Sequence, residues 1–520
     1  MTAPNEARKA PKPPPRGRRR ALAFAALAAA AAALKARQDA EHQSTRVYHP
    51  GHEPWRMSIS THEGVIHGFT HDSLDSLGHD YERVSNPAMP GRDPLTVYLP
   101  RTTDEVISVI RQAKERGEEL KVRGSGHSSN DLVVADRGSV IVTRYMDAIL
   151  SHDEEALTVT VQPGVANAVV DDFLADRGYG LPVIGDHKDV TVGGFASAGG
   201  IGPASFRFGM FVDNISELEY VNWDGELRIC SPEHDPEEFH RVLAGLGAHG
   251  VLTKLTTRIY KVDKYATVWK NHETHFFERE HFVEASLSHM LDPGEALMQR
   301  GIWIDFGGFA GRRLALGQFS RYFATPQSTT AKLSNTLAYE VLHRIGHVAG
   351  RLPRELDRTL KMIGTAGILF SPGYASIKNV EFFSDKIIKA TVGDPTRMLI
   401  VLVPLDQYTA VFERIWALLA GYRDDTGCFT VMSGYVKGLR SAYLAHGRPD
   451  DRFCELNFTV GIDLAKLTEP LFEEIISAVD DICIEHDTFR YMHTRTVKDP
   501  ERRRLIDPNA AYSAPPLGVS

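Results

Sequence analysis

The sequence predicts an α+β protein of two domains. Residues 87–262 hold short strands broken by glycine-rich turns. Residues 263–489 instead alternate strands with long helices, the pattern of helices laid over one face of an antiparallel sheet. At 520 residues, 42% hydrophobic and 24% charged, the chain can build a sizeable core in each. Around these domains, residues 1–40 read as a basic tail with a signal or anchor segment and 41–86 as a polar lead-in. Residues 490–520 form a separate C-terminal segment.

The net charge of −8 and the lack of a basic aromatic stripe exclude a nucleic-acid binder. Cys230, Cys428, Cys454 and Cys483 form no CxxC pair, so neither a zinc site nor a disulfide framework is signalled. The histidines of the lead-in (His42, His49, His52, His62, His67, His71, His79) match no metal-binding spacing. No metal site is expected. Arg16-Gly17-Arg18-Arg19-Arg20 precedes an apolar run from Ala21 to Leu34, shorter than the ~20 residues a membrane span needs. A basic segment before a short apolar one fits an export signal, or membrane association through the N-terminus. An alanine-rich helix after a polar tail in a cytoplasmic protein fits the same residues.

In the first domain, Leu95–Leu99 reads as a strand ended by Pro100, and Thr103 as the N-cap of a helix stopped by Gly117. Leu120–Arg123 is a strand. A strand pair follows over Val133–Val142, then the half-buried strand Leu157–Val161 and a helix over Ala166–Arg177. Asp224-Gly225 between Leu218–Trp223 and Glu226–Cys230 signals a hairpin. A helix over Glu237–Ala244 and a strand over Val251–Tyr260 close the domain. Beyond it come the strand Met398–Val403, the helix Tyr408–Leu419, the strand Phe453–Ile462, the helix Leu467–Ile484 and a strand over Arg490–Arg495. Residues 330–365 read as a helical insert bearing Arg344, Arg351, Arg354, Arg358 and Lys361.

Two glycine-rich stretches are the candidate functional elements. One is Arg123-Gly124-Ser125-Gly126-His127-Ser128; the other runs from Thr191 to Gly209. Small residues let backbone N–H groups close on an anion such as a pyrophosphate, and they also build plain tight turns. Gly245-Leu246-Gly247-Ala248-His249-Gly250 spells GxGxxG, but it follows a helix and opens a strand. A dinucleotide fingerprint needs the reverse order.

These motifs, in this order, resemble the FAD-binding domain of the vanillyl-alcohol oxidase and p-cresol methylhydroxylase (PCMH) superfamily. Thr191-Val192-Gly193-Gly194, Phe206–Gly209 and Val242–Gly247 look like the cytokinin dehydrogenases. Gly124–Ser128 followed by Asp131-Leu132 looks like the sugar-lactone oxidases. The resemblance implies a PCMH-type two-subdomain FAD-binding domain over 87–262 under an α+β substrate cap. It implies that the amides of Arg123, Gly124, Ser125, Gly126, His127 and Ser128, with Gly193, Gly194, Ser197, Gly199, Gly200 and Gly202, wrap FAD. Gly250, Val251 and Leu252 would approach its adenine half, and Asn509 would lie in a tail returning to the flavin. His127 stands where many relatives attach the flavin covalently. Asp186, placed shortly before Thr191, stands where cytokinin dehydrogenases keep a catalytic aspartate. Lys498 matches the lysine of the terminal strand in decaprenylphosphoryl-ribose oxidases, while the His-Trp-Gly-Lys ending of the lactone oxidases is absent.

Strand alternation gives an independent reading of the cap. Glu455, Asn457 and Thr459 share one face of their strand, and Tyr491, His493 and Arg495 share one face of the next. A polar face inside a cap would line a cavity for a polar substrate, although a solvent-facing sheet shows the same alternation. Asp186, Glu455, His493 and Lys498 are the candidate proton acceptors. The expected activity is FAD-dependent oxidation of a CH–OH group of a polar, sugar-like small molecule, with oxygen or another electron acceptor. Oxidation of a CH–NH group, a flavin-dependent reductase and a non-catalytic FAD-fold binding protein are the rivals.

Overall fold

The computed structural model describes residues 58–60, 65–67, 96–129, 132–133, 139–188, 190–309, 312–325, 373–382, 396–463 and 465–513. The basic tail and the helical insert lie outside the described residues, and of the lead-in only the short hairpin β1 (Ser58–Ser60) and β2 (Val65–His67) lies within them.

The first domain has two sheets. Strands β3 (Thr96–Tyr98), β4 (Leu120–Arg123) and β5 (Ser139–Val142) form a parallel three-stranded sheet in the order β3-β5-β4. Parallel neighbours need a crossover, and helix α1 (Thr103–Arg116) provides it between β3 and β4. The N-cap of α1 is Thr102, one residue before the expected Thr103, because the Thr102 hydroxyl accepts from the Glu105 amide. Of the expected strand pair over Val133–Val142, β5 is present, Val133 lies in a turn, and residues 134–138 lie outside the described residues.

The second sheet has five antiparallel strands in the order β10-β9-β11-β7-β6. Its members are β6 (Ile149–Asp153), β7 (Thr158–Val161), β9 (Ile215–Asn222), β10 (Leu227–Cys230) and β11 (Gly250–Arg258). The Asp224-Gly225 turn joins β9 to β10 with Leu227 opposite Val221, and Gly225 takes the left-handed φ of +76° that the turn requires. Around the sheet lie α2 (Asn167–Ala175), α3 (Val192–Ala198), α4 (Ser205–Phe208) and α5 (Pro236–Val242). The GxGxxG stretch falls between α5 and β11, so it opens a strand as its flanks predict. The minor strands β8 (Tyr179–Gly180) and β12 (Tyr260–Lys261) pair beside this sheet.

After β12 the chain enters an eight-stranded sheet in the order β16-β13-β15-β14-β18-β19-β17-β20. Its strands are β13 (Thr267–Phe276), β14 (Met298–Phe309), β15 (Arg312–Ala324), β16 (Tyr374–Ser376), β17 (Thr396–Pro404), β18 (Phe429–Arg440), β19 (Arg452–Ile462) and β20 (Phe489–Arg490). Helices α6 (Arg279–Leu291), α8 (Tyr408–Thr426) and α9 (Glu469–Glu485) pack on one face through Phe282, Phe412, Ile415, Ile475 and Val479. Leu456, Phe458 and Val460 of β19 meet these helices. The alternate residues of β17, Ile400 and Leu402, join the core of the first domain instead. The cap sheet is therefore sandwiched, and its polar positions face the first domain. Helices α7 (Ile377–Glu381), α10 (Pro500–Ile506) and α11 (Ala510–Ser513) complete the described elements.

The terminal strand is shorter than its alternation suggests. β20 ends at Arg490, and the chain turns so that the Thr494 amide donates to the Tyr491 carbonyl at 3.0 Å. Arg490 forces this turn. Its buried guanidinium pairs with Asp480 of α9, donates to the Ile400 carbonyl at 3.1 Å and to the Arg495 carbonyl at 2.8 Å. Asp480 in turn accepts from the Val497 amide at 2.8 Å. Arg495 consequently leaves the face of Tyr491 and His493 and pairs with Glu469 and Glu473 on α9.

Among the described residues no helix is long and apolar enough to cross a membrane, and no cluster of metal-ligating side chains occurs. All four cysteines are free and buried. Removing one partner of a buried ion pair strands the other charge, so Arg490→Met should lower unfolding free energy by about 3–5 kcal/mol, read in urea denaturation.

Candidate active site

The two glycine stretches meet where the first lacks a side chain, and the second packs as closely on the turn before α2. A Cβ on Gly124 would come within 2.2 Å of the Thr191 hydroxyl, and one on Gly193 within 2.5 Å of the Pro163 ring. Gly126 has φ +72° and sits directly over the buried Arg123 guanidinium. Thr191 caps α3 by accepting from the Gly194 amide at 3.3 Å. The second stretch is thus a short helix rather than an irregular loop, because the Thr191 cap sets up its first turn.

Above these stretches lies a cleft of about 410 Å³ between the first domain and the cap sheet. Gly124, Ser125, Gly126, His127 and Ser128 line it from the loop after β4, and Gly193, Gly194 and Ser197 from α3. Gly250 and Leu252 line it from β11. From the cap come Ser433, Tyr435 and Lys437 of β18 and Glu455, Asn457 and Thr459 of β19, with Tyr491 and His493. The alternation read for β19 therefore describes a cavity face.

Several expected residues serve elsewhere. Arg123 is not in the lining; its side chain supports the loop and reaches the Val133 carbonyl at 3.4 Å. Gly199, Gly200 and Gly202 pack inward, where a Cβ would strike Met210, Phe211 and the Ile184 carbonyl. The Gly200 amide donates to the Tyr491 hydroxyl at 2.9 Å. Val251 is buried with Tyr98 and Val106 in the core beneath the sheet. Asn509 ties the tail down, donating to the Arg241 and Leu243 carbonyls and to the Tyr443 hydroxyl. Lys498 is exposed, next to Asp499 at the cap of α10, and is no part of the cleft.

The lysine in the cleft is Lys437. Its Nζ lies 2.6 Å from Asp186 Oδ2 and 3.1 Å from Glu455 Oε2, while Arg300 stands 3.7 Å from Asp186 Oδ1. Neither Lys437 nor Arg300 was singled out from sequence. The alternation of Ser433, Tyr435 and Lys437 along β18 was the signal available for the lysine.

Burial pushes the Asp186 carboxyl up, but Lys437 and Arg300 outweigh it and hold the group below its ordinary value. Glu455 is raised: burial and the nearby Asp186 together exceed the pull of Lys437. Burial works to lower Lys437, and its two carboxylates reverse that. His493 is pushed down to about 4, first by burial and then by His187, Arg490 and Lys437, so its imidazole is neutral. His493 Nδ1 is buried with no hydrogen-bond partner among the described residues. The site thus sets one carboxyl held below its ordinary value and one held above it beside the same lysine, with a neutral imidazole nearby.

Residues 94–231 match the family described as FAD binding domain. Residues 94–231 are an FAD-binding domain. The chain is 34% identical over 186 residues to an oxidoreductase, ORF5 of the fasciation locus, of Rhodococcoides fascians. It is 30% identical over 199 residues to D-arabinono-1,4-lactone oxidase of Eremothecium gossypii, and 30% over 201 residues to cytokinin dehydrogenase 2 of Arabidopsis thaliana. The matched stretches cover 36%, 35% and 38% of this chain, and 41%, 37% and 37% of those proteins. The chain thus spans about two fifths of the length of these relatives.

The cleft fits the cofactor of an FAD-binding domain. The Ser128 and Ser129 hydroxyls are buried without partners among the described residues, and the facing glycines leave a cradle that side chains would fill. His127 lies at its edge, with Nδ1 2.9 Å from the Ser125 hydroxyl and its ring 5.2 Å from that of His187.

With Lys437 gone, Asp186 and Glu455 would face each other as like charges and one would keep its proton. Lys437→Met should move the carboxyl titration up by about 1–3 pH units, read from the protonated-carboxyl infrared band.

Proposed function

We propose that this chain is an FAD-dependent oxidoreductase that oxidises a CH–OH group of a polar, sugar-like small molecule. The observation that carries this reading is the polar roof of the cleft. Ser433, Tyr435, Lys437, Glu455, Asn457 and Thr459 all turn toward an FAD-binding domain from two adjacent strands. A hydroxylated molecule would exchange its water hydrogen bonds for these groups, whereas an apolar one would leave them unpaired.

Bound FAD would supply the hydride acceptor, at its N5. The loop Gly124–Ser128, with Gly193, Gly194 and Ser197, would hold its phosphates and ribityl chain, and Gly250 and Leu252 its adenine half. His127 would carry the covalent link.

The remaining chemistry falls to side chains of this chain. Lys437 donates to the substrate oxygen and steadies the negative charge that grows on it as the O–H proton leaves. Asp186, anionic and partly open to the cleft, accepts that proton. Glu455, the second carboxyl on Lys437, hydrogen-bonds the substrate and fixes its orientation. His493 stays neutral and offers Nδ1 as a further acceptor. The apolar wall of Ile201, Ile304, Phe306 and Ile400 keeps water from the reacting carbon. Oxygen or another acceptor would then take the electrons.

Anaerobic flavin bleaching across a panel of alditols, sugars, lactones and amines tests the reading. Polyhydroxylated alcohols should bleach the flavin; bleaching by amines alone would refute it. After acid precipitation the wild-type protein should retain its yellow colour in the pellet. His127→Ala should release the flavin to the supernatant.

A further inference from the structure

A second buried charge cluster lies away from the cleft, where the two domains join. Lys264 follows β12 and is fully buried. Its Nζ lies 3.1 Å from Asp171 Oδ1 on α2 and 2.5 Å from Glu381 Oε1 on α7. Lys378, one turn earlier on α7, pairs with Asp172, stands 4.0 Å from Asp171 Oδ2 and lies over the Tyr265 ring. The cluster therefore ties the first domain, the connection and the cap to one another.

Helix α7 also reaches the active site. The guanidinium of Arg300 on β14 donates to the Val380 carbonyl and sits 3.7 Å from Asp186 Oδ1. Val380 is fully buried against Met298 and Tyr322, so its carbonyl is fixed by packing as well. Glu381 is the next residue. A displacement of α7 thus moves an anchor of Arg300, and Arg300 is one of the two cations that hold Asp186.

We propose that Glu381 is a positioning residue for the active site: its pairing with Lys264 clamps α7, and the Val380 carbonyl of α7 aims Arg300 at Asp186. The proposal rests on Asp186 being the group that meets substrate. It also makes the site sensitive to pH. Burial drives Glu381 up to about 7, against Lys264 and Lys378 and with Asp171. Tyr260, pushed up to about 12 chiefly by burial, is the other titratable group facing the cluster, with Arg207 beyond it. Tyr260 does not change charge near neutrality. Protonated Glu381 still accepts from Lys264 Nζ while Asp171 supplies the counter-charge, and its burial then costs less. The stability this proton adds is whole below the unfolded value of 4.5 and is lost as pH rises through about 7.

The test uses the full chain in three forms. Hydrogen exchange of residues 377–382, expressed as protection factors, needs no substrate. Wild-type protection should fall roughly tenfold between pH 6 and 8, and Glu381→Gln should make it flat. A flat wild-type profile, or an unchanged slope in Glu381→Gln, overturns the clamp. Arg300→Lys keeps the cluster intact, so it should keep the wild-type protection profile. The wild type should show a rise in substrate KM between pH 6 and 8, and Arg300→Lys should abolish it. A KM rise that persists in Arg300→Lys overturns the link to Asp186. Failure of the flavin-bleaching panel with a sloping protection profile would remove the proposed reaction and leave the clamp standing.

Discussion

The structure turns on one buried lysine. Lys437 projects from the cap sheet and meets Asp186 of the first domain and Glu455 of its own sheet. Burying an ammonium costs several kcal/mol unless carboxylates and hydrogen bonds compensate it. Here the compensation comes from both domains, so neither domain alone provides it. The cap must sit at the register that brings β18 over the loop holding Asp186. Docking of the domains and assembly of the site are then the same event, and the cleft exists only in the docked form.

The first domain answers this with close backbone packing. Gly124 against Thr191 draws the two glycine stretches together where a single methyl group would part them, and Gly193 against Pro163 seats the second stretch on the turn before α2. The Tyr491 hydroxyl accepts from the Gly200 amide, and the Ser129 amide donates to the His493 carbonyl at 2.8 Å. The segment after β20 is thereby stitched to both stretches. Tyr491 and His493 owe their places to these bonds and to the turn imposed by Arg490.

What could be read from sequence was whatever depends on local chemistry. The Asp224-Gly225 hairpin, the α1 helix with Gly117 behind it and the alternation of Glu455, Asn457 and Thr459 follow from backbone preference and a period of two. The cradle was legible as well, because a side chain in it would be a collision. Long-range pairings were not legible. Setting Lys498 aside in favour of Lys437 required knowing that Arg490 would pair with Asp480 and turn the chain away before Lys498. Arg495 failed for the same reason. Gly199, Gly200 and Asn509 have the composition of ligand-binding residues, yet they close contacts between distant segments. A glycine in a cradle and a glycine under a phenylalanine look alike until the fold brings their neighbours.

Asp186 and Glu455 share one lysine yet lean opposite ways in protonation. Their chemistry is the same, so the difference must come from surroundings. Arg300 stands beside Asp186 and offsets the cost of its burial, while Glu455 has the Asp186 charge added to its own burial. Lys437 acts on both carboxyls and is the stronger of the two cations at Asp186, and Arg300 pulls on both as well. The opposite directions therefore come from the balance of burial, the cations and the Asp186 charge at each carboxyl rather than from one residue. The cap thus does more than cover the FAD-binding domain: it supplies both cations that set this balance.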